Sequence, residues 1–250
     1  MILSKLIESA IEETLEDSVA ISFSGGLDST TIATVAKKHA KIDLYSVGTD
    51  KSSDLDFSRK IAQEIKLQLN EIVVDEKELV EAYLACYKIV PLDFLKLEIL
   101  VPVYLVAKAA SKKHSVLLFG SGAEELFVGY KKYFDYLKEG KDVETILKEE
   151  FKTLVDRDIN YVKKICRKFS IEARFPFYNK KLADFVFTIP LEDKMADPDL
   201  KKCILREAAK MLGVSELAIK RKKLAMQYGS GIHKLLLKHS KEFDSIISKS

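Results

Sequence analysis

The run Val19-Ala20-Ile21-Ser22-Phe23 is short and apolar, stops at Ser24-Gly25-Gly26, and gives way at once to a helical pattern. A run of that length between turn residues reads as a buried strand. The same unit recurs downstream. Strands are expected at 42–47, 71–74 and 115–119, and helices at 2–16, 28–40, 54–66, 76–89 and 96–112, with Asp54 as the cap of its helix and a further helix soon after Gly120. Strands that alternate with helices of ten or more residues build a parallel sheet covered by helices on both faces, the α/β class. Ligands of such sheets sit outside the carboxyl ends of the strands. The turns after Phe23 and after Phe119, both rich in glycine, fall at such ends.

Beyond about residue 131 no strand pattern stands out. Residues 143–168, 180–189, 200–212 and 232–248 read as helices, and Gly140 lies among charged residues at a boundary. The expectation is an α/β core over 1–138 and a mostly helical C-terminal subdomain over 139–250. A chain of 250 residues, 47% hydrophobic and 32% charged, can bury a sizeable core. It contains no apolar run long enough to span a membrane, and its first residues lack the form of a signal peptide. Cys86, Cys166 and Cys203 are far apart in sequence and form no CxxC pair. That argues against a zinc ribbon or a disulfide scaffold and points to the cytoplasm. Net charge is +3, but residues 201–250 hold 12 Lys+Arg against 4 Asp+Glu. A basic final fifth suits a polyanion such as pyrophosphate, ATP or RNA, or it is simply a solvated helix surface.

The stretch Ser24-Gly25-Gly26-Leu27-Asp28-Ser29-Thr30 has the chemistry of a phosphate cradle. Paired glycines let backbone N–H groups approach an anion. The hydroxyls of Ser24, Ser29 and Thr30 add donors, and the starting helix aims its positive end at the same point. It is neither a GxxxxGK[ST] loop nor a GxGxxG turn. Asp28 belongs in an anion site once a cation is present, as when a carboxylate holds Mg2+ beside phosphates.

That string resembles the loop of the PP-loop ATP pyrophosphatases, an adenine nucleotide alpha hydrolase-like fold in which ATP is cut between its α and β phosphates. The segment Gly120-Ser121-Gly122-Ala123-Glu124-Glu125-Leu126-Phe127-Val128-Gly129-Tyr130 resembles the asparagine synthetase pattern Gly-Glu-Gly-Ala-Asp-Glu-Leu-Phe-Gly-Gly-Tyr. Further segments are similar in the same order. They are Tyr45-Ser46-Val47-Gly48 with Ser53-Asp54-Leu55, Pro102-Val103-Tyr104-Leu105, Ile171 to Phe177, Lys202 to Arg206, and Arg221-Lys222-Lys223. The resemblance implies an ATP-dependent ligase. It would adenylate a carboxylate, aspartate by likeness alone, release pyrophosphate, and let ammonia or another amine attack. It further implies that Ser24 to Thr30 bind pyrophosphate, that Phe23, Val47 and Gly120 line an adenine pocket, and that Asp28 and Glu124 hold Mg2+. Lys223 would neutralise phosphate charge in the transition state, with Arg206 adding to it. Ser121, Gly122, Glu172 and Arg174 would lie on the substrate side, Glu172 as a catalytic candidate. A buried structural ion pair is the other reading of Glu172 and Arg174.

The chain departs from the pattern in several places. Ser121 stands at the family's glutamate, Glu124 at its aspartate, and Val128 and Ser170 at glycines. Serine cannot replace a carboxylate in deprotonating ammonium. The loop arrives at residue 24 behind Ile2, which leaves no room in this sequence for an N-terminal glutaminase domain. Free ammonia, a separate glutaminase subunit or another amine is then implied. Two alternatives stay open: a tRNA-modifying PP-loop enzyme, disfavoured by the missing CxxC pair, and an ATP-binding subunit or regulatory protein without synthetase activity.

Overall fold

The protein is described by a computed structural model over residues 2–222, 229–240 and 243. Its centre is a five-stranded sheet made of β1 (Ser18–Ser22), β2 (Lys41–Gly48), β3 (Leu69–Val73), β4 (Val116–Leu118) and β5 (Glu172–Arg174). The strand order is β3-β2-β1-β4-β5, and every pairing is parallel. The helices are α1 (Ile2–Glu12), α2 (Leu27–Ala36), α3 (Ser53–Glu64), α4 (Glu76–Ile89), α5 (Phe94–Ala110), α6 (Ala123–Leu126), α7 (Lys131–Lys138), α8 (Val143–Leu154), α9 (Asn160–Arg167), α10 (Lys180–Val186), α11 (Leu191–Lys194), α12 (Cys203–Met211), α13 (Glu216–Lys220) and α14 (Ile232–Lys238).

Alternation along the strands sends successive side chains to opposite faces. Val19, Ile21, Ile42, Leu44, Val116 and Leu118 pack with α1, α2, α10 and α12 on one face. Ala20, Tyr45, Val47 and Leu117 pack with α4, α5, α9 and α14 on the other. Buried on both sides, the strands read as apolar runs. Every residue of α2 is buried, so the helix that opens the candidate cradle is anchored along its whole length. A smaller cluster of Val128, Tyr133, Phe134, Val143, Leu147 and Met195 joins α7 and α8 to the turn after β4. Among the described residues no helix is long and apolar enough to cross a membrane.

The structure corrects several expectations. Residues 172–174 form an edge strand where none was foreseen, so the stretch beyond 139 completes the sheet. Glu-Ala-Arg carries one apolar side chain and is half exposed, too short and too polar to announce itself. The helix expected over 143–168 is interrupted by a π-turn at Val155–Ile159. The first helix stops at Glu12 rather than 16, and α7 was not anticipated. The cap of α3 is Ser52, whose side chain accepts the Leu55 N–H at 3.1 Å, whereas Asp54 is buried elsewhere. Of the helix expected over 232–248, Ile232–Lys238 is observed, and much of the rest lies outside the described residues.

Val128 and Ser170, the two residues that stand at family glycines, both have positive φ, 56° and 57°. A side chain there crowds the following carbonyl, by about 1–2 kcal/mol per residue. Ser170 is exposed and has no packing to lose. Ser170→Gly is therefore expected to stabilise the fold by about 0.5–1 kcal/mol in urea unfolding. A loss of stability would mean that the serine side chain contributes a contact that outweighs the strain.

Candidate active site

The sheet runs in one direction from β1 through β2 to β3 and then resumes on the other side of β1 with β4. This switch of direction leaves a crevice beyond the carboxyl ends of β1 and β4, the place where such sheets take ligands. β1 and β4 are paired, Ile21 opposite Leu118, so the turns that follow them must meet. They do: a Cβ on Gly120 would lie 3.1 Å from the Cβ of Asp28.

The first turn has the form of a cradle. Gly25 has φ +66°, and a Cβ there would press on Phe57 at 3.1 Å and on the backbone of Ser58 at 3.2 Å. No other residue type fits both demands. Gly26 caps α2 without a side-chain bond, which leaves the first N–H groups of the helix to face the turn. The serines order the loop from within. Ser29 Oγ receives the Ser24 N–H at 3.4 Å and donates to the Gly26 carbonyl at 3.3 Å, and Ser24 Oγ receives the Gly26 N–H at 3.4 Å. Thr30 is fully buried in the first turns of α2.

The second turn carries Ser121, half-buried, and Gly122, which caps the short α6. α6 brings Glu124 to the crevice. Asp28 and Glu124, only 7% and 8% exposed, converge on a side chain that had been given no role. The Lys202 ammonium lies 2.9 and 2.8 Å from the two Asp28 oxygens and 3.0 Å from Glu124 Oε1. The neighbouring Glu125 is buried against Arg157 at 3.6 Å, and burial pushes its carboxyl up to about 7.

On the other side of β1, a narrow cleft is lined by Ser22, Phe23, Ser24, Tyr45, Ser46, Val47, Asp54 and Val106. Phe23 and Val47 thus share one cleft, while Gly120 lies apart from it against Asp28. Arg221 closes over this region. It donates to the Ser24 carbonyl and to Asp54, and its guanidinium rests 4.1 Å above the Phe57 ring. One residue of the basic run therefore reaches the loop. Lys223 lies outside the described residues. Arg221→Ala is expected to destabilise the fold by about 1–3 kcal/mol in urea unfolding, since it unties the loop from α3 and leaves Asp54 buried without this partner. An unchanged stability would show that the loop holds its shape without Arg221.

Arg206 lies near enough to Asp28 to feel its charge, but it spends its N–H groups on the backbone. Its N–H groups go to the carbonyls of Leu200, Lys201, Ile219 and Arg221. It ties together the segments that carry Lys202 and Arg221. Glu172 and Arg174 are not brought to the crevice. They pair at 2.9 Å, and Arg174 turns back to Glu16 and the Thr14 carbonyl, ahead of β1. Glu172 is largely exposed, so the pair is a surface tie and not the buried one considered from sequence. Arg174 holds the Glu172 carboxyl below its usual range.

The asparagine synthase family model matches residues 3–147 and 137–250. The chain belongs to the asparagine synthase family. A Methanocaldococcus jannaschii protein named, provisionally, asparagine synthetase [glutamine-hydrolyzing] 1 is 28% identical over 91% of this chain and 48% of its own length. Asparagine synthetase B [glutamine-hydrolyzing] of Escherichia coli is 26% identical over 89% of this chain and 44% of its own. The chain thus spans about half the length of the curated relatives it matches. Among solved structures, NMN synthetase from Francisella tularensis superposes with a TM-score of 0.47 at 11% identity, over 90% of this chain and 74% of that one.

Proposed function

We propose that this chain is an ATP-dependent, amide-forming ligase of the synthetase type, with aspartate as the favoured carboxylate and ammonia as the favoured nitrogen donor. The substrate carboxylate attacks the α-phosphorus of ATP, the α–β bond breaks, and pyrophosphate leaves. The nitrogen nucleophile then attacks the acyl carbon, loses a proton, and displaces AMP. The observation that carries this reading is the glycine cradle at the switch point with Asp28 and Glu124 converging beside it, in a chain of the asparagine synthase family.

Each element of the crevice has a part in that reaction. The loop from Ser24 to Ser29 binds the leaving pyrophosphate through backbone N–H groups and the dipole of α2. Phe23 and Val47 take the adenine face. Lys202 and the basic run from Lys220 to Lys223 offset the charge that builds on the leaving group. Asp28 and Glu124 fit a magnesium ion: both are hard oxygen donors, both are buried, and they already share one cation. Mg2+, when bound, supplies charge neutralisation along the phosphates. On this reading residues 1–138 form the nucleotide-binding core, and residues 139–250 complete the site through Lys202 and Arg221.

Ser121 directs attention to the nitrogen side. A neutral hydroxyl takes no proton from ammonium, so the nitrogen donor must reach the acyl carbon already unprotonated, as ammonia or as another amine. We place the protein in the cytoplasm, where its three free cysteines stay reduced. The test is carboxylate-dependent exchange of labelled pyrophosphate into ATP over a panel of acids that includes aspartate. Exchange with at least one acid is expected. Release of orthophosphate alone would contradict the reaction class.

A further inference from the structure

Two buried carboxylates side by side repel each other unless a cation lies between them. Here Lys202 fills that position with three carboxylate oxygens within 3.0 Å of its ammonium, as many oxygens as the group has protons. We propose that Lys202 is a built-in counter-cation that occupies the divalent-metal position between Asp28 and Glu124, so that a metal enters only by exchange with its ammonium. The proposal rests on the reading of Asp28 and Glu124 as metal ligands.

Three features show that Lys202 is held there. It is 4% exposed, although a lysine is rarely buried without an ionic partner. Both Lys201 and Lys202 have left-handed backbones, φ 55° and 53°, at the start of α12. Such a conformation in residues other than glycine persists only where the surroundings impose it. Arg206 supplies that imposition, through the carbonyls of Leu200 and Lys201. Gly129 completes the enclosure, for a Cβ there would fall 2.4 Å from Lys202 Cε and 1.7 Å from Glu124 Oε2.

Space and charge then make the two cations alternatives. Magnesium takes oxygen ligands at about 2.0–2.1 Å, closer than the ammonium allows while it touches the same three oxygens. The ammonium leaves readily only if it gains another anion, and an incoming triphosphate is one. Free metal therefore binds poorly to the protein alone, and nucleotide and metal load together.

The experiment uses Mn2+ as the probe, counted by electron paramagnetic resonance in the absence of nucleotide, together with thermal unfolding in EDTA. For the parent protein, Mn2+ binding at this site is expected to be weak and its Tm unaffected by Mn2+. Lys202→Met is expected to melt about 10 °C lower in EDTA, to regain most of that loss in Mn2+, and to bind Mn2+ at least ~10-fold more tightly than the parent. The double variant Lys202→Met, Glu124→Gln has one carboxylate fewer and should lose the gain in Mn2+ affinity. An equal Tm for Lys202→Met and parent in EDTA would overturn the proposal. So would one tight Mn2+ site in the parent, a result that needs no variant to fold. No nucleotide or substrate is present, so this outcome is independent of the exchange assay that tests the ligase reading.

Discussion

Asp28→Asn is expected to lower carboxylate-dependent ATP–pyrophosphate exchange on the order of 10^3-fold while the protein stays folded. The asparagine side chain keeps the shape of the aspartate and takes away the charge. Asp28 stands in the first turn of α2, against the turn after β4, with both oxygens on the Lys202 ammonium. Without its charge the crevice keeps only Glu124 of the two acids, and neither the ammonium nor a metal is held beside the cradle with the same strength. The fold survives because α2 is buried along its whole length by apolar neighbours that the substitution does not touch. Circular dichroism and a melting curve separate loss of chemistry from loss of structure. Unchanged exchange would remove Asp28 from the site.

Gly129→Ala has the second large effect, and it falls on stability as well as on activity. The new methyl would stand 1.7 Å from Glu124 Oε2 and 2.4 Å from Lys202 Cε, contacts that no relaxed structure tolerates. Both atoms belong to flexible side chains, but those chains are buried and paired with each other, and Lys202 is held by Asp28 as well, so they yield only if the ion cluster opens. Breaking a buried ion pair costs about 3–5 kcal/mol, and a loss of that order is expected in urea unfolding, with exchange abolished. Gly140→Ala is the matched control. Its φ is +71°, yet a Cβ there meets nothing within 4 Å, so the cost is limited to the backbone, about 1 kcal/mol. Equal losses for the two variants would show that enclosure of the cluster is not what Gly129 provides.

These effects trace back to features that were unequally visible in the sequence. The strand, cradle and helix from Ser18 to Ala36 were plain because every signal there is local: an apolar run, two glycines, hydroxyls, and a helix behind them. The convergence of Asp28 and Glu124 was implied by the resemblance to a family, and the pairing of β1 with β4 that brings their turns together is seen only in the structure. The partner they converge on was not visible. Lys202 lies 174 residues from Asp28, in a basic segment that read either as suited to a polyanion or as solvated surface, and only the folded chain shows it buried between two acids. Arg221 was seen as part of a basic run, but not as the residue that reaches back to Ser24 and Asp54. Arg206 was given a share in charge stabilisation by the same resemblance, and nothing local reveals that carbonyls take up its donors. The departures at Val128 and Ser170 were legible as substitutions for glycine, and the positive φ at both explains why glycine suits those positions.

The central claim is that the turn between β1 and α2 binds the terminal phosphates of ATP beside Asp28 and Glu124. A crystal grown with magnesium and a non-hydrolysable ATP analogue tests it directly. The account expects the β and γ phosphates against the backbone from Ser24 to Ser29, the base in the cleft of Phe23 and Val47, and Lys202 moved off at least one of its two acids. A nucleotide bound elsewhere, or side chains of Asp28 and Glu124 turned away from each other, would contradict it.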